Sequence, residues 1–152
     1  MNQQSGRSLI EVIGVMAITG LMTVAALGTF QVMRTNHKRT IASAELEQIA
    51  KDTKLLLEMR DDYTGVSVDY LIKAGALQSS RAPIGGENWS VTASADGKSF
   101  SINLVDLTTG ECDYFSTTKP KWASAMLVNG FETGYAENCF ESDSNQISFI
   151  VE

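Results

Sequence analysis

The sequence predicts an α+β fold in which one long N-terminal helix packs on a four-stranded antiparallel sheet. Three observations carry this expectation. Residues 12–33 are uncharged and mostly apolar. Between Ile41 and Met59 the apolar side chains recur at helical spacing. Beyond Gly65 that spacing gives way to the alternation typical of strands, punctuated by turn residues.

The long helix is expected from about Ser8 to about Arg60. Residues 1–60 contain no proline, so no ring clashes with a preceding turn and no backbone donor is missing. At ~1.5 Å per residue the uncharged run makes a rod of roughly 33 Å, enough to cross a hydrocarbon layer about 30 Å thick. Arg34, His37, Lys38 and Arg39 follow it. Then Ile41, Leu46, Ile49, Thr53 and Leu56, with Leu57 and Met59 alongside, form a one-sided stripe, opposite Glu45, Glu47, Lys51, Lys54 and Glu58. Glu47 and Lys51 make an i,i+4 pair in the favourable order, worth ~0.3 kcal/mol. The stripe needs a partner, and within one molecule only the remaining chain can supply it. Asp61-Asp62-Tyr63-Thr64-Gly65 breaks the helix.

A short helix is expected over Val68 to Ala74, stopped by Gly75, and residues 78–88, with Pro83, Gly85 and Gly86, read as loop. Trp89, Val91 and Ala93 alternate with Ser90, Thr92 and Ser94. After the turn signal Asp96-Gly97, Phe100, Ile102 and Leu104 alternate with Ser101 and Asn103. This is a β-hairpin pattern. Thr109-Gly110-Glu111 opens another short helix that carries Cys112 and stops before Pro120. Ala125 to Val128, ahead of Asn129-Gly130, gives a third strand, and Gln146 to Glu152 a fourth. Such a sheet with the stripe on one face buries both apolar surfaces.

Composition bounds the function. A chain of 152 residues, 43% hydrophobic and 20% charged, fits one ordinary domain joined to one apolar helix. From Asp61 onward there are 13 acidic and 5 basic side chains, whereas residues 1–60 carry 5 acidic and 7 basic. The acidic part repels phosphate backbones and so disfavours direct nucleic-acid binding. Cys112 and Cys139 both lie in it. In an oxidising compartment they should pair, and closing a loop of that length is worth roughly 3 to 4 kcal/mol; two separate buried thiols are the alternative. No metal or cofactor is expected. His37 is the only histidine, and the spacing of Asp106, Glu111 and Asp113 matches no metal loop. No nucleophile-and-base set and no phosphate loop is present, so no enzyme activity is expected.

Gly6 followed by Arg7-Ser8-Leu9-Ile10-Glu11-Val12 and the apolar run resembles the processing site and N-terminal helix of type IV pilins and their pseudopilin relatives. Downstream the order resembles the type IVb branch. Leu71-Ile72-Lys73-Ala74-Gly75-Ala76-Leu77 comes first, then Gly85-Gly86, the strand Ser99 to Val105, Gly110-Glu111-Cys112, Val128-Asn129-Gly130, and Cys139 before a last strand. The resemblance implies the pilin fold, an α/β roll. It divides the chain into a leader of residues 1–6, a transmembrane or fibre-core helix of 7–33, an amphipathic continuation of 34–60, and a globular head of 61–152 with a disulfide-bounded C-terminal region.

It also implies a function. A prepilin peptidase would cut after Gly6 and methylate the amine of Arg7, and Glu11 would meet the N-terminal amine of a neighbouring copy in a fibre. The implied partners are further copies of the chain, the peptidase, the assembly machinery of the bacterial inner membrane, and lipid before assembly. The head would be periplasmic first and then lie on an extracellular pilus serving adhesion, aggregation or transfer. The alternatives are a minor pilin or pseudopilin of a secretion system, and a membrane-tethered binding domain that does not polymerise. The leader itself carries no lysine or arginine, and Arg7 stands where the family usually has an apolar residue.

Overall fold

A computed structural model of the chain describes residues 9–152 and, apart from residues 9, 10, 19–28 and 30, their side chains. The long helix, α1, runs Leu9–Glu58. Its end follows from local chemistry. The Arg60 amide donates to the Leu57 carbonyl at 2.9 Å, and Asp61 takes a left-handed φ of 52° that a helix cannot continue through. The chain divides into two compact units, residues 1–38 and 39–152.

In the second unit α2 (Val68–Lys73) starts where the Ser67 hydroxyl accepts from the Tyr70 amide at 3.1 Å. The sheet consists of β1 (Ser90–Ala93), β2 (Phe100–Leu107), β3 (Ala125–Val128) and β4 (Asn145–Val151), in the order β1-β2-β4-β3 with every pair antiparallel. The last strand is therefore interior, between β2 and β3. Helix α3 (Thr109–Ser116) begins at Thr109 as expected, with Thr108 as its N-cap in a reciprocal capping box with Glu111. A 3-10 turn covers Tyr135–Asn138.

Alternation sets which side of the sheet is apolar. Val91, Phe100, Ile102, Leu104, Met126, Val128, Ile147, Phe149 and Val151 point inward and join one core cluster with Ala42, Leu46, Ile49, Ala50 and Leu57 of α1. Strand β2 is longer than expected because it carries a bulge. Asp106 adopts φ 52° and the pairing with β4 shifts between Leu104 and Leu107, so one extra residue returns Leu107 to the buried side. Gly85 fits the same place, since a Cβ there would lie 2.4 Å from the Val105 carbonyl oxygen.

The buried face of α1 contains Leu46, Ile49, Thr53 and Leu57 of the expected stripe and differs from it at the margins. Positions 42, 46, 49, 50, 53 and 57 are buried and lie on one helical face. Ile41, one residue off that face, is 44% exposed, and Met59, beyond the last helical residue, is 96% exposed. Leu56 is half-buried at the margin. Ala42 and Ala50 complete the buried face, and their small side chains contribute little to an apolar pattern in the sequence. Trp89 belongs to the core, with its indole N–H donated to the Ser80 carbonyl at 2.8 Å. Trp122 is half-buried and stacks at a tilt on Phe149 with centroids 5.1 Å apart.

The loop that ends α1 is fastened to the first hairpin. The Tyr63 amide donates to the Gly97 carbonyl at 2.9 Å, and the Tyr63 ring lies 4.9 Å from that of Phe100. Gly97 has φ 70°, and a Cβ there would collide with the Asp62 carboxylate. Asp62 accepts from the amide and hydroxyl of Thr64, which hold its pKa below the ordinary carboxylate range. The Ser94 hydroxyl and the Lys98 amide do the same for Asp96. At the other end, Lys54 donates from Nζ to the backbone carbonyl of Glu152 at 2.7 Å.

Two outcomes follow for the stability of the folded chain. Thr53 is fully buried with no hydrogen-bond partner for its hydroxyl, so Thr53→Val is expected to stabilise by about 1 kcal/mol, while Leu46→Ala costs about 2 to 5 kcal/mol; urea unfolding of both measures the two signs. Because the folded pKa values of Asp62 and Asp96 are depressed, their contribution is complete above the unfolded value of about 3.9 and is lost as pH falls through the lower folded values. Melting temperature should drop with acidification in that window, and Asp62→Asn with Asp96→Asn should flatten the drop.

Candidate functional site

Two regions carry the residues singled out by sequence. The first lies in α1. Residues 11–18 are exposed along their whole length, with Ile13, Val15, Met16 and Ile18 each more than half exposed, and so are Val32 and Met33 further along. Exposed apolar surface of this extent is characteristic of contact sites. Glu11 sits at its start, near the beginning of the described part of α1. Gly6 and Arg7, expected as the processing site, lie outside the described residues. Among the described residues no helix is long and apolar enough to cross a membrane; the side chains of residues 19–28 and 30, within the uncharged run, are not among those described.

The second region is the lobe that follows β3. The structure joins Cys112 on α3 to Cys139 across 5.9 Å between Cα atoms. Cys112 is fully buried, and the buried Ser116 hydroxyl lies 3.5 Å from the Cys139 sulfur. The disulfide is one of two fastenings. The other is Asn145, a buried side chain at the start of β4 whose amide nitrogen donates to the carbonyls of Leu107, Phe140 and Ser142. Its oxygen accepts from the Phe140 amide at 2.7 Å and from Asn129 Nδ2 at 2.9 Å. Asn129, in a left-handed conformation, also donates to the Asn138 carbonyl and accepts from the Gln146 amide. Asn138 closes the outer turn by donating to the carbonyls of Thr133 and Gly134. A single amide at position 145 thus ties together β2, the disulfide segment and the last strand.

Sequence reading missed this hub. Asn129 was visible only as the first residue of an Asn-Gly turn, and nothing local marks Asn145. The lobe is also anchored to α1, since the Arg39 guanidinium lies 5.5 Å over the ring of Tyr114 on α3. Glu111 is occupied by its capping box, with its carboxylate 3.0 Å from the Thr108 amide, and among the described residues no group of His, Cys, Asp and Glu is placed to hold a metal ion.

A long helix whose second half underlies a β1-β2-β4-β3 sheet, with a disulfide-bounded lobe, is an arrangement that can be compared with known structures. It is similar to the crystal structure of TcpA, a type IV pilin from Vibrio cholerae El Tor biotype. The TM-score is 0.63 over 76% of this chain and 99% of that one, at 14% sequence identity. This chain has the type IV pilin fold. No protein-family model matches the chain, and no curated protein matches it by sequence. In this pilin fold the lobe depends on both fastenings. Replacing Cys112 and Cys139 by serine is expected to cost about 2 to 5 kcal/mol. Asn145→Ala, which leaves several buried polar groups without partners, should cost at least about 1 to 3 kcal/mol with the disulfide intact. Thermal unfolding of the two variants checks both values.

Proposed function

We propose that the chain is a structural subunit of a type IV pilus, polymerising through α1 into an extracellular fibre. The observation that carries this reading is a pilin-fold chain whose α1 presents an exposed apolar face at residues 12–18, headed by Glu11. Lipid before assembly and the helices of other copies afterwards would cover that face in turn, so transfer from membrane to fibre changes little in apolar burial.

Glu11 gives the polymer its register. A carboxylate left ionised and alone in an apolar core costs at least ~2.5 kcal/mol, and a neighbouring cation removes much of that cost. Cleavage after Gly6 by a prepilin peptidase creates that cation, the amine of Arg7. In the packed fibre the amine of one copy meets Glu11 of another, and a copy slipped along the bundle strands a charge. On this reading the precursor sits in the bacterial inner membrane with residues 61–152 in the periplasm, where oxidising conditions keep the Cys112–Cys139 bond. The inner-membrane assembly machinery then feeds mature copies into the fibre. Adhesion, aggregation and transfer are all roles that a fibre of this kind performs.

Glu11→Ala tests the reading. Expected are loss of sheared surface fibres, unchanged amounts of protein in the membrane fraction, and a mature mass starting at methylated Arg7 in both wild type and variant. Wild-type protein that retains residues 1–6 and never forms fibres, or a variant that polymerises normally, overturns it.

A further inference from the structure

The structure splits the basic cluster that follows the apolar run. Arg39 is half-buried, over the ring of Tyr114 in its own chain; the side chains of Arg34, His37 and Lys38 are solvent-exposed. With Met33, which is 64% exposed, these residues occupy one side of α1. Met33 and His37 stand one turn apart, as do Arg34 and Lys38, and the two rows are adjacent on the helix. The result is a cationic face with an apolar component.

A surface of opposite character lies in the disulfide lobe. Residues 131–143 carry Glu132, Glu137, Glu141 and Asp143, and no basic residue occurs anywhere after Lys121. All four carboxylate side chains are at least partly exposed, and among the described residues the only ion pair is Lys51 with Glu47. Two large aromatic side chains stand out of the same lobe, Phe131 at 56% exposure and Phe140 at 53%. Exposed phenylalanines flanked by charges of one sign mark a contact surface more specifically than charge alone. The lobe is also held in shape before any contact forms, by the Asn129, Asn138 and Asn145 side chains and the disulfide, which lowers the ordering cost of association.

We propose that in the polymer the helix face of Met33, Arg34, His37 and Lys38 in one copy receives the acidic lobe of residues 131–143 of another copy. This rests on the subunit reading and adds to it a second, electrostatic contact distinct from the one made by Glu11. The apolar core supplies cohesion without direction. Opposite charges on the two surfaces select which neighbour docks where, because like surfaces repel each other. The occupant is a copy of this chain, since only such a copy brings both halves of the complementary pair in equal number.

The test uses the full chain in its membrane and in assembled fibres. Cells producing a mixture of isotopically light and heavy chain are treated with a zero-length carbodiimide, which joins an amine to a carboxylate in contact. Expected are cross-linked peptides joining Lys38 to Glu137 or Glu141, with mixed light and heavy partners. Arg34→Glu with Lys38→Glu should reduce fibre yield about tenfold or more and abolish those peptides, and adding Glu137→Lys with Glu141→Lys should restore the yield and give cross-links between the same positions with amine and carboxylate exchanged. Because the restoring changes lie in the other surface, recovery excludes simple misfolding of the first variant. Fibres indifferent to the first charge reversal, a swap that restores nothing, or Lys38 peptides confined to single-isotope pairs overturn this contact while leaving the subunit reading standing. Wild-type copies that neither polymerise nor cross-link overturn both.

Discussion

The face of α1 formed by Ala42, Leu46, Ile49, Ala50, Thr53 and Leu57 is the surface on which residues 39–152 are organised. A four-stranded sheet with one apolar side has no independent reason to exist in water, and a one-sided helix has none either. Each supplies what the other must cover. The alanines matter as much as the larger residues, because they let the helix approach the sheet while Leu46 and Leu57 fill the space on either side. The fastenings at the margins, Tyr63 on the Gly97 carbonyl and Lys54 on the Glu152 carbonyl, fix the helix end and the strand end around that contact.

The same helix carries a different surface before residue 39. There the apolar side chains of residues 12–18 are exposed. One continuous secondary structure thus has a buried face at residues 42–57 and an exposed apolar surface at residues 12–18, which on the proposed reading lipid or other copies would cover. On the proposed reading one acidic group, Glu11, at the start of the exposed stretch would turn a non-directional apolar contact into one with a preferred register, because burying an ionised carboxylate is tolerated only beside a cation.

The C-terminal lobe solves another problem. It contains little regular structure, and its backbone polar groups need partners that strands and helices would otherwise provide. Asn145 and Asn129 supply them through side-chain amides that bridge carbonyls and amides of separate segments, and Asn138 donates to two carbonyls of the outer turn. The disulfide limits how far the lobe can open. Together they let a loop-rich segment present Phe131 and Phe140 and four carboxylates in a fixed arrangement.

Much of this was legible in the chain because local structure is written in spacing. The proline-free helix, the Gly75 limit of α2, the alternation of the hairpin and the last strand, and the Asp96-Gly97 turn all depend on neighbours a few residues apart. Glu11 ahead of an uncharged run and the two cysteines were equally visible. The tertiary structure alone decided the rest. It set the margins of the α1 face, which left Ile41 exposed and buried Ala42 and Ala50. It placed β4 between β2 and β3, inserted the bulge at Asp106, and gathered three carbonyls around Asn145. Those features follow from which strand edges and polar groups are still unpaired once the core has closed, a condition set by residues far apart in sequence and therefore by no local pattern.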